Sequence, residues 1–175
     1  AEAEAVTGNK NDGAILKAIN QSRKATLSPD IASDNFDVSP EDFVKNSPKI
    51  DYIAKAVESM KKKDPKTSQL IYMPLGVKFL PKLKQYFVNK GIFKADEVAI
   101  IDFSVSDDKI PQITDSFNDE NGKIKLVIGT NKIKEGMNLN KNSSVLYVRT
   151  RIGSNLCHLI WLIGYIYLSA NSCVQ

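Results

Sequence analysis

The sequence predicts an α/β domain: a parallel sheet with helices on both faces, preceded by an N-terminal helical arm. Three observations predict it. Short apolar runs alternate with segments of helical periodicity. The runs are apolar throughout instead of alternating with polar residues, as in strands buried on two faces. The breaks between them fall at proline, glycine and Asn-Gly, residue types that end elements.

Gly13–Ala25 carries Ile15, Leu16 and Ile19 at helical spacing, with Arg23 and Lys24 at the end where the helix dipole favours cations. Ser28-Pro29 ends this helix, because the residue before a proline is pushed out of the helical region. Residues 30–48 are rich in Asp, Ser and Asn, contain Pro40 and Pro48, and read as an irregular linker. Pro48 then suits the first turn of a helix, with Ser47 as its N-cap. Ile50, Ile53, Ala54 and Val57 form the apolar stripe of that helix to about Met60, before Lys61, Lys62, Lys63 and the Asp64-Pro65 break.

Gln69–Met73 is the first buried strand. Val77–Asn89, with Phe79, Leu80, Leu83, Tyr86 and Phe87, returns to helical spacing and ends near Gly91. Val98–Phe103 is the second strand. Asp107–Asn118 is a helix with Ile110, Ile113 and Phe117 on one face, and Asn121-Gly122 is a turn. Ile124–Ile128 is the third strand, running into Gly129-Thr130. Ile133–Met137 is a short helical turn, and Ser144–Val148 is the fourth strand. The expected organisation is a helix and linker over 1–46, the α/β unit over 47–150, and an atypical apolar segment over 151–175.

The totals bound the function without choosing it. A chain of 175 residues suits one domain with an extended arm, and 42% hydrophobic residues are enough for a core. A net charge of +4 permits nucleic-acid binding but does not require it, since a solvated lysine face gives the same sum. Cys157, Cys173 and the single His158 are too few ligands for a structural zinc site. The first residues lack the basic and apolar regions of a signal peptide. The longest apolar run, Leu156–Ala170, falls short of the ~20 residues that span a bilayer. No membrane partner is therefore expected.

In a parallel sheet, ligands bind beyond the carboxyl ends of the strands. Four loops lie there: Pro74-Leu75-Gly76, Ser104-Val105-Ser106, Gly129-Thr130-Asn131 and Arg149-Thr150-Arg151. The third is the most informative. Gly129 would let a ligand approach the backbone, and Thr130 and Asn131 would offer side-chain and backbone hydrogen bonds suited to a phosphate. The same residues also make an ordinary strand-end turn. Among the lysines, Lys61, Lys62, Lys63 and Lys66 precede the first strand, at the wrong end of the sheet, and read as a solvated face. Lys78, Lys82 and Lys84 follow that strand and are candidates for phosphate contact. Asp107 and Asp108 read as a helix start in preference to a metal site, and His158 as buried.

The run Ile124–Val148, with Glu135-Gly136-Met137-Asn138-Leu139 at its centre, resembles motif V of superfamily 2 helicases. The likeness extends to other positions in the same order. Gln69–Met73 falls where the motif IV strand stands. Ser47-Pro48-Lys49-Ile50 looks like the entry to the second lobe of Swi/Snf-type translocases, and residues 14–31 are similar to their helix between lobes. Ile113–Asn118 looks like the Phe-Asn helix before motif V. The chain thus resembles the C-terminal RecA-like lobe, of P-loop NTPase second-lobe type, found in phage and mobile-element helicases and in helicase-linked adenine-specific DNA methylases.

The resemblance implies a RecA-like sheet and a cytoplasmic setting in a bacterial, phage or mobile-element context. It also implies three partners: DNA, the first RecA-like lobe of a parent protein and, in some relatives, a fused methylase. ATP and Mg2+ would be bound by the complete parent, with none expected on this chain alone, which carries no G-x-x-x-x-G-K-[ST] and no Asp-Glu-x-His box. Gly129, Thr130, Glu135 and Gly136 would sense ATP or the facing lobe. Thr130, Asn131, Lys132, Lys134, Asn138 and Lys78 would contact nucleic acid. No residue is assigned a catalytic or metal-binding role.

Motif VI departs from the pattern. Gly164 and Asn171 stand at fitting spacing, but Tyr165 and Leu168 occupy the arginine positions, and no Lys, Arg, Asp or Glu follows Arg151. An isolated chain without those arginines is expected to be inactive as an ATPase. Two other readings stay open: a catalytically inactive RecA-like scaffold that has lost motif VI, and a flavodoxin-like or receiver domain.

Overall fold

The structure, a computed structural model, describes residues 10–134, 139 and 143–147. The described residues form an α/β unit whose four strands, β1 (Ser68–Tyr72), β2 (Val98–Ile101), β3 (Leu126–Gly129) and β4 (Ser143–Tyr147), are parallel and ordered β2-β3-β1-β4. The helices are α1 (Lys10–Leu27), α2 (Pro29–Ala32), α3 (Pro40–Lys45), α4 (Pro48–Lys63), α5 (Leu80–Asn89) and α6 (Lys109–Asn118), with 3-10 turns at Val77–Phe79 and Asn131–Lys134. The expected strand–helix alternation and parallel sheet are both present. Strand ends shift by at most two residues.

Helices α4 and α5 form where their apolar spacing has a surface to bury. On α4, Ile50, Ile53, Ala54 and Val57 are all buried, while Asp51–Lys55 and Glu58–Lys62 pair across single turns on the outer face. On α5, Leu80, Leu83 and Phe87 are buried. These helices pack with Ile71, Met73, Val98, Leu126 and Ile128 in one core cluster on one side of the sheet. A smaller cluster on the other side joins Phe117 of α6 to Leu70, Ile101, Val127 and Leu139. Neighbouring residues of β1 and β3 thus go to opposite clusters, which is why the strands are apolar without alternation.

Polar groups tie β1 to both layers. Ser68 Oγ donates to the Phe117 carbonyl at 2.9 Å, and Gln69 Nε2 donates to the Val57 carbonyl at 3.2 Å, both buried. Lys82 donates to the Val38 carbonyl and Lys84 to the Val98 carbonyl, each at 2.7 Å. These two lysines act as struts between elements.

The stretch expected as an irregular linker contains two helices. Ser28 Oγ accepts from Asp30 N at the start of α2, and Ser39 Oγ accepts from Asp42 N at 3.0 Å at the start of α3. Pro29 and Pro40 occupy the first turns, as Pro48 does in α4, so three Ser-Pro pairs open three helices. At the third, Ser47 makes no side-chain cap; its hydroxyl donates to the Phe43 carbonyl at 2.7 Å. Leu27, Ile31, Phe43 and Val44 belong to the main core cluster. The nearly buried carboxylate of Asp30 accepts from Asn35 Nδ2 at 2.9 Å and from Asn46 Nδ2 at 3.4 Å, holding the segment together. The N-terminal stripe of Ile15, Leu16 and Ile19 is helical as expected but exposed.

At the opposite end of the sheet from the candidate loops, Lys62 pairs with Glu58, Lys66 pairs with Glu120, and Lys61 lies over Phe93, in keeping with a solvated lysine face. There Asp64 closes α4. Its carboxylate accepts from the Thr67 hydroxyl and from the Lys66 and Thr67 backbone N–H groups, which hold its pKa below the ordinary value. Among the described residues, no helix is long and apolar enough to cross a membrane.

This packing has measurable consequences. Phe43→Ala should cost about 3–5 kcal/mol in urea unfolding, as for a core aromatic, whereas a detached linker would lose under about 0.5 kcal/mol. Because the folded pKa of Asp64 is depressed, its contribution is present above the unfolded carboxylate pKa and lost as pH falls through the folded value. Asp64→Ala should therefore lower stability at neutral pH and flatten the acid limb of a stability-versus-pH curve.

Candidate functional site

The topology places a switch point at the carboxyl rim. The chain leaving β1 passes through α5, on the side of the larger cluster, to reach β2. The chain leaving β3 contributes Ile133 and Leu139 to the cluster on the other side before entering β4. β1 and β3 are neighbours, so adjacent strands send their connections to opposite faces. That is the topological switch point where open α/β sheets hold ligands.

The two strand ends are bridged at this point. The Tyr72 hydroxyl, at the end of β1, donates to Asn131 Oδ1, just past β3, and Met73 N donates to the Gly129 carbonyl at 2.8 Å. Asn131 is exposed, so the bridge sits at the surface of the rim. From the sequence, Tyr72 reads only as part of a strand. The signal that could have found it is its place as the last polar-tipped residue of an apolar run beside a candidate loop.

The residues around the threonine turn depart from expectation. Thr130 is 1% exposed; its hydroxyl faces the Ile101 carbonyl at 3.5 Å and lies 3.5 Å from Lys132 N. The side chain expected to reach a ligand is turned inward, where it starts the 3-10 turn at 131–134. Gly129, expected to open the backbone to a ligand, has its free side filled by Ile133: an added Cβ would sit 1.6 Å from Ile133 Cδ1. The reason is burial, because the 3-10 turn swings the apolar Ile133 back onto the sheet, and only glycine leaves room for it.

Lys132 is the cation that the turn brings to the rim. Its ammonium lies 2.7 Å from Asp107 Oδ1 in the loop before α6. Asp107 thus serves as an ion-pair partner, and Asp108 takes the N-cap position of α6 without a side-chain cap bond. Lys78 belongs to another cluster: its ammonium lies 5.3 Å above the ring of Phe36, which stacks on Phe79. The Lys134 backbone completes the 3-10 turn. The side chain of Lys134, and all of Glu135, Gly136 and Asn138, lie outside the described residues, as do the Arg149-Thr150-Arg151 loop, Cys157, His158, Gly164, Tyr165, Leu168, Asn171 and Cys173. Leu139, the last residue of the Glu-Gly-Met-Asn-Leu run, is buried in the smaller core cluster.

The loop after β2 adds a residue that sequence reasoning places inside a strand. β2 stops at Ile101. Asp102 Oδ1 accepts from Ser104 N at 2.8 Å and from Ser104 Oγ at 2.5 Å, a local turn that ends the strand and leaves Phe103 67% exposed. The Asp-x-Ser spacing is the signal for it. Among the described residues, no group of three or more His, Cys, Asp or Glu side chains could hold a metal ion.

No family model matches the chain, and no curated protein matches it. The strand order and the helices of the described residues make the fold class α/β with a parallel sheet. Gly129→Ala should force Ile133 off its site and cost about 1–3 kcal/mol of stability, measured by urea unfolding, while leaving the sheet intact by circular dichroism.

Proposed function

We propose that this chain is the second RecA-like motor lobe of an ATP-dependent superfamily 2 DNA helicase or translocase. In this reading it contacts the nucleic-acid backbone at the rim and completes an ATP site together with a first lobe. The observation that carries the reading is the topological switch point between β1 and β3, with the motif-V-like segment following β3 in sequence. The parallel order of the strands supports it, since an antiparallel arrangement would have removed the shared rim.

The chemistry of the rim suits a backbone partner better than a small-molecule substrate. It offers Asn131, Lys132 and the exposed face of a short turn, groups that bind phosphate without reading sequence. ATP and Mg2+ would be held mainly by the facing lobe, which in such motors supplies the phosphate loop and the acidic pair. A second reading, a RecA-like scaffold without ATPase function, is favoured by Tyr165 and Leu168 at the positions where motif VI carries arginines.

Under the motor reading, a labelled single-stranded oligonucleotide should bind with an affinity that falls as salt rises. Lys132→Ala with Lys134→Ala should weaken binding and reduce the slope of log K against log salt by about one for each phosphate no longer neutralised. Binding indifferent to salt would count against it. To separate the two readings, a first RecA-like lobe is added in trans and ATP hydrolysis measured with DNA present. Stimulation supports the motor, and none supports the scaffold.

A further inference from the structure

The ion pair at the rim joins two unequal partners. The Lys132 side chain is 17% exposed, while that of Asp107 is 87% exposed. The lysine is held by the turn that follows Thr130, and the aspartate stands out in solvent on the loop before α6. Of the other acids between β2 and α6, Asp102 is committed to Ser104, and Asp108 takes the N-cap position of α6. A carboxylate oxygen 2.7 Å from an ammonium stands where a phosphate oxygen would stand in a charge-assisted contact.

We propose that Asp107 is an intramolecular competitor for phosphate at Lys132, and so sets how tightly and how salt-dependently the rim binds a nucleic-acid backbone. The proposal rests on the backbone-contact reading above. An incoming phosphate takes the ammonium, and Asp107, already nearly fully exposed, is released into water with little change in packing. The lysine, mostly covered, keeps its place in both states. The free chain therefore never presents a bare, partly desolvated cation, and only an anion able to outcompete a tethered carboxylate gains the site. Added salt acts twice, since it screens the internal pair as well as the incoming backbone.

The test measures fluorescence anisotropy of a fluorescein-labelled oligothymidine with the full chain over a range of sodium chloride concentrations. The proteins are wild type, D107N, D108N, K132Q and D107N/K132Q. Asp108 is the control, because D108N makes the same change in net charge one residue away. D107N should bind about threefold tighter than wild type at low salt, with the gain shrinking as salt rises. D108N should gain less, and D107N/K132Q should bind no tighter than K132Q. Equal gains for D107N and D108N would reduce the effect to net charge and overturn the proposal, as would a D107N gain that survives K132Q. If wild type binds in a salt-dependent way and D107N is unchanged, the competitor fails while the backbone reading stands. If neither binds, both fail. Thermal unfolding of each variant confirms that its fold is kept.

Discussion

The interior position of β1 governs the molecule. Its backbone pairs with β3 on one side and β4 on the other, over Gln69–Tyr72 and Ser68–Tyr72 respectively. Its side chains feed both core clusters, Ile71 into the larger and Leu70 into the smaller. A strand in this position has no free edge, so its residues are apolar or carry polar groups that reach a neighbouring layer. Ser68 Oγ and Gln69 Nε2 donate to carbonyls of α6 and α4, while Gln69 Oε1 is buried without a hydrogen-bond partner. The strand ends at Tyr72, the first residue whose side chain can reach the rim, and that residue forms the bridge to Asn131.

The rim follows from the direction of the connections more than from any single side chain. Because β1 and β3 send their chains to opposite faces, the loops part above them, and what stands between them is set by the turn at 131–134. That turn is a compromise. Burying Ile133 against the sheet requires Gly129 and turns the Thr130 hydroxyl inward. The same turn brings Asn131 to the surface and Lys132 toward Asp107. Hydrophobic burial thereby decides which polar groups remain at the surface.

Much of this is legible in the residues. The four apolar runs, their parallel arrangement, the stripe on α4 and the carboxyl-rim location of the candidate loops all rest on short-range periodicity and on the glycine and proline breaks. The three Ser-Pro pairs are legible too, but Ser28-Pro29 reads from sequence only as an end, when the same dipeptide ends one helix and starts the next. Residues 30–46 look like a linker because polar residues outnumber apolar ones. Two of its apolar residues, Phe43 and Val44, are adjacent and fully buried, and composition averages such a pair away. Phe103 reads as strand because an apolar residue continuing an apolar run has no local feature that marks it as exposed.

By itself, the sequence determined the class of the fold and the order of its elements, because helix and strand periods and chain breakers act within a few residues. It also marked the turn after β3 as the place to look. The tertiary structure alone decided which strands lie inside the sheet, which face each connection covers, and which groups of the turn face outward. Those outcomes depend on contacts between distant residues, such as Tyr72 with Asn131 and Lys132 with Asp107. Such pairs have no sequence period to betray them, since the distance between partners is set by how layers pack and not by the chain between them.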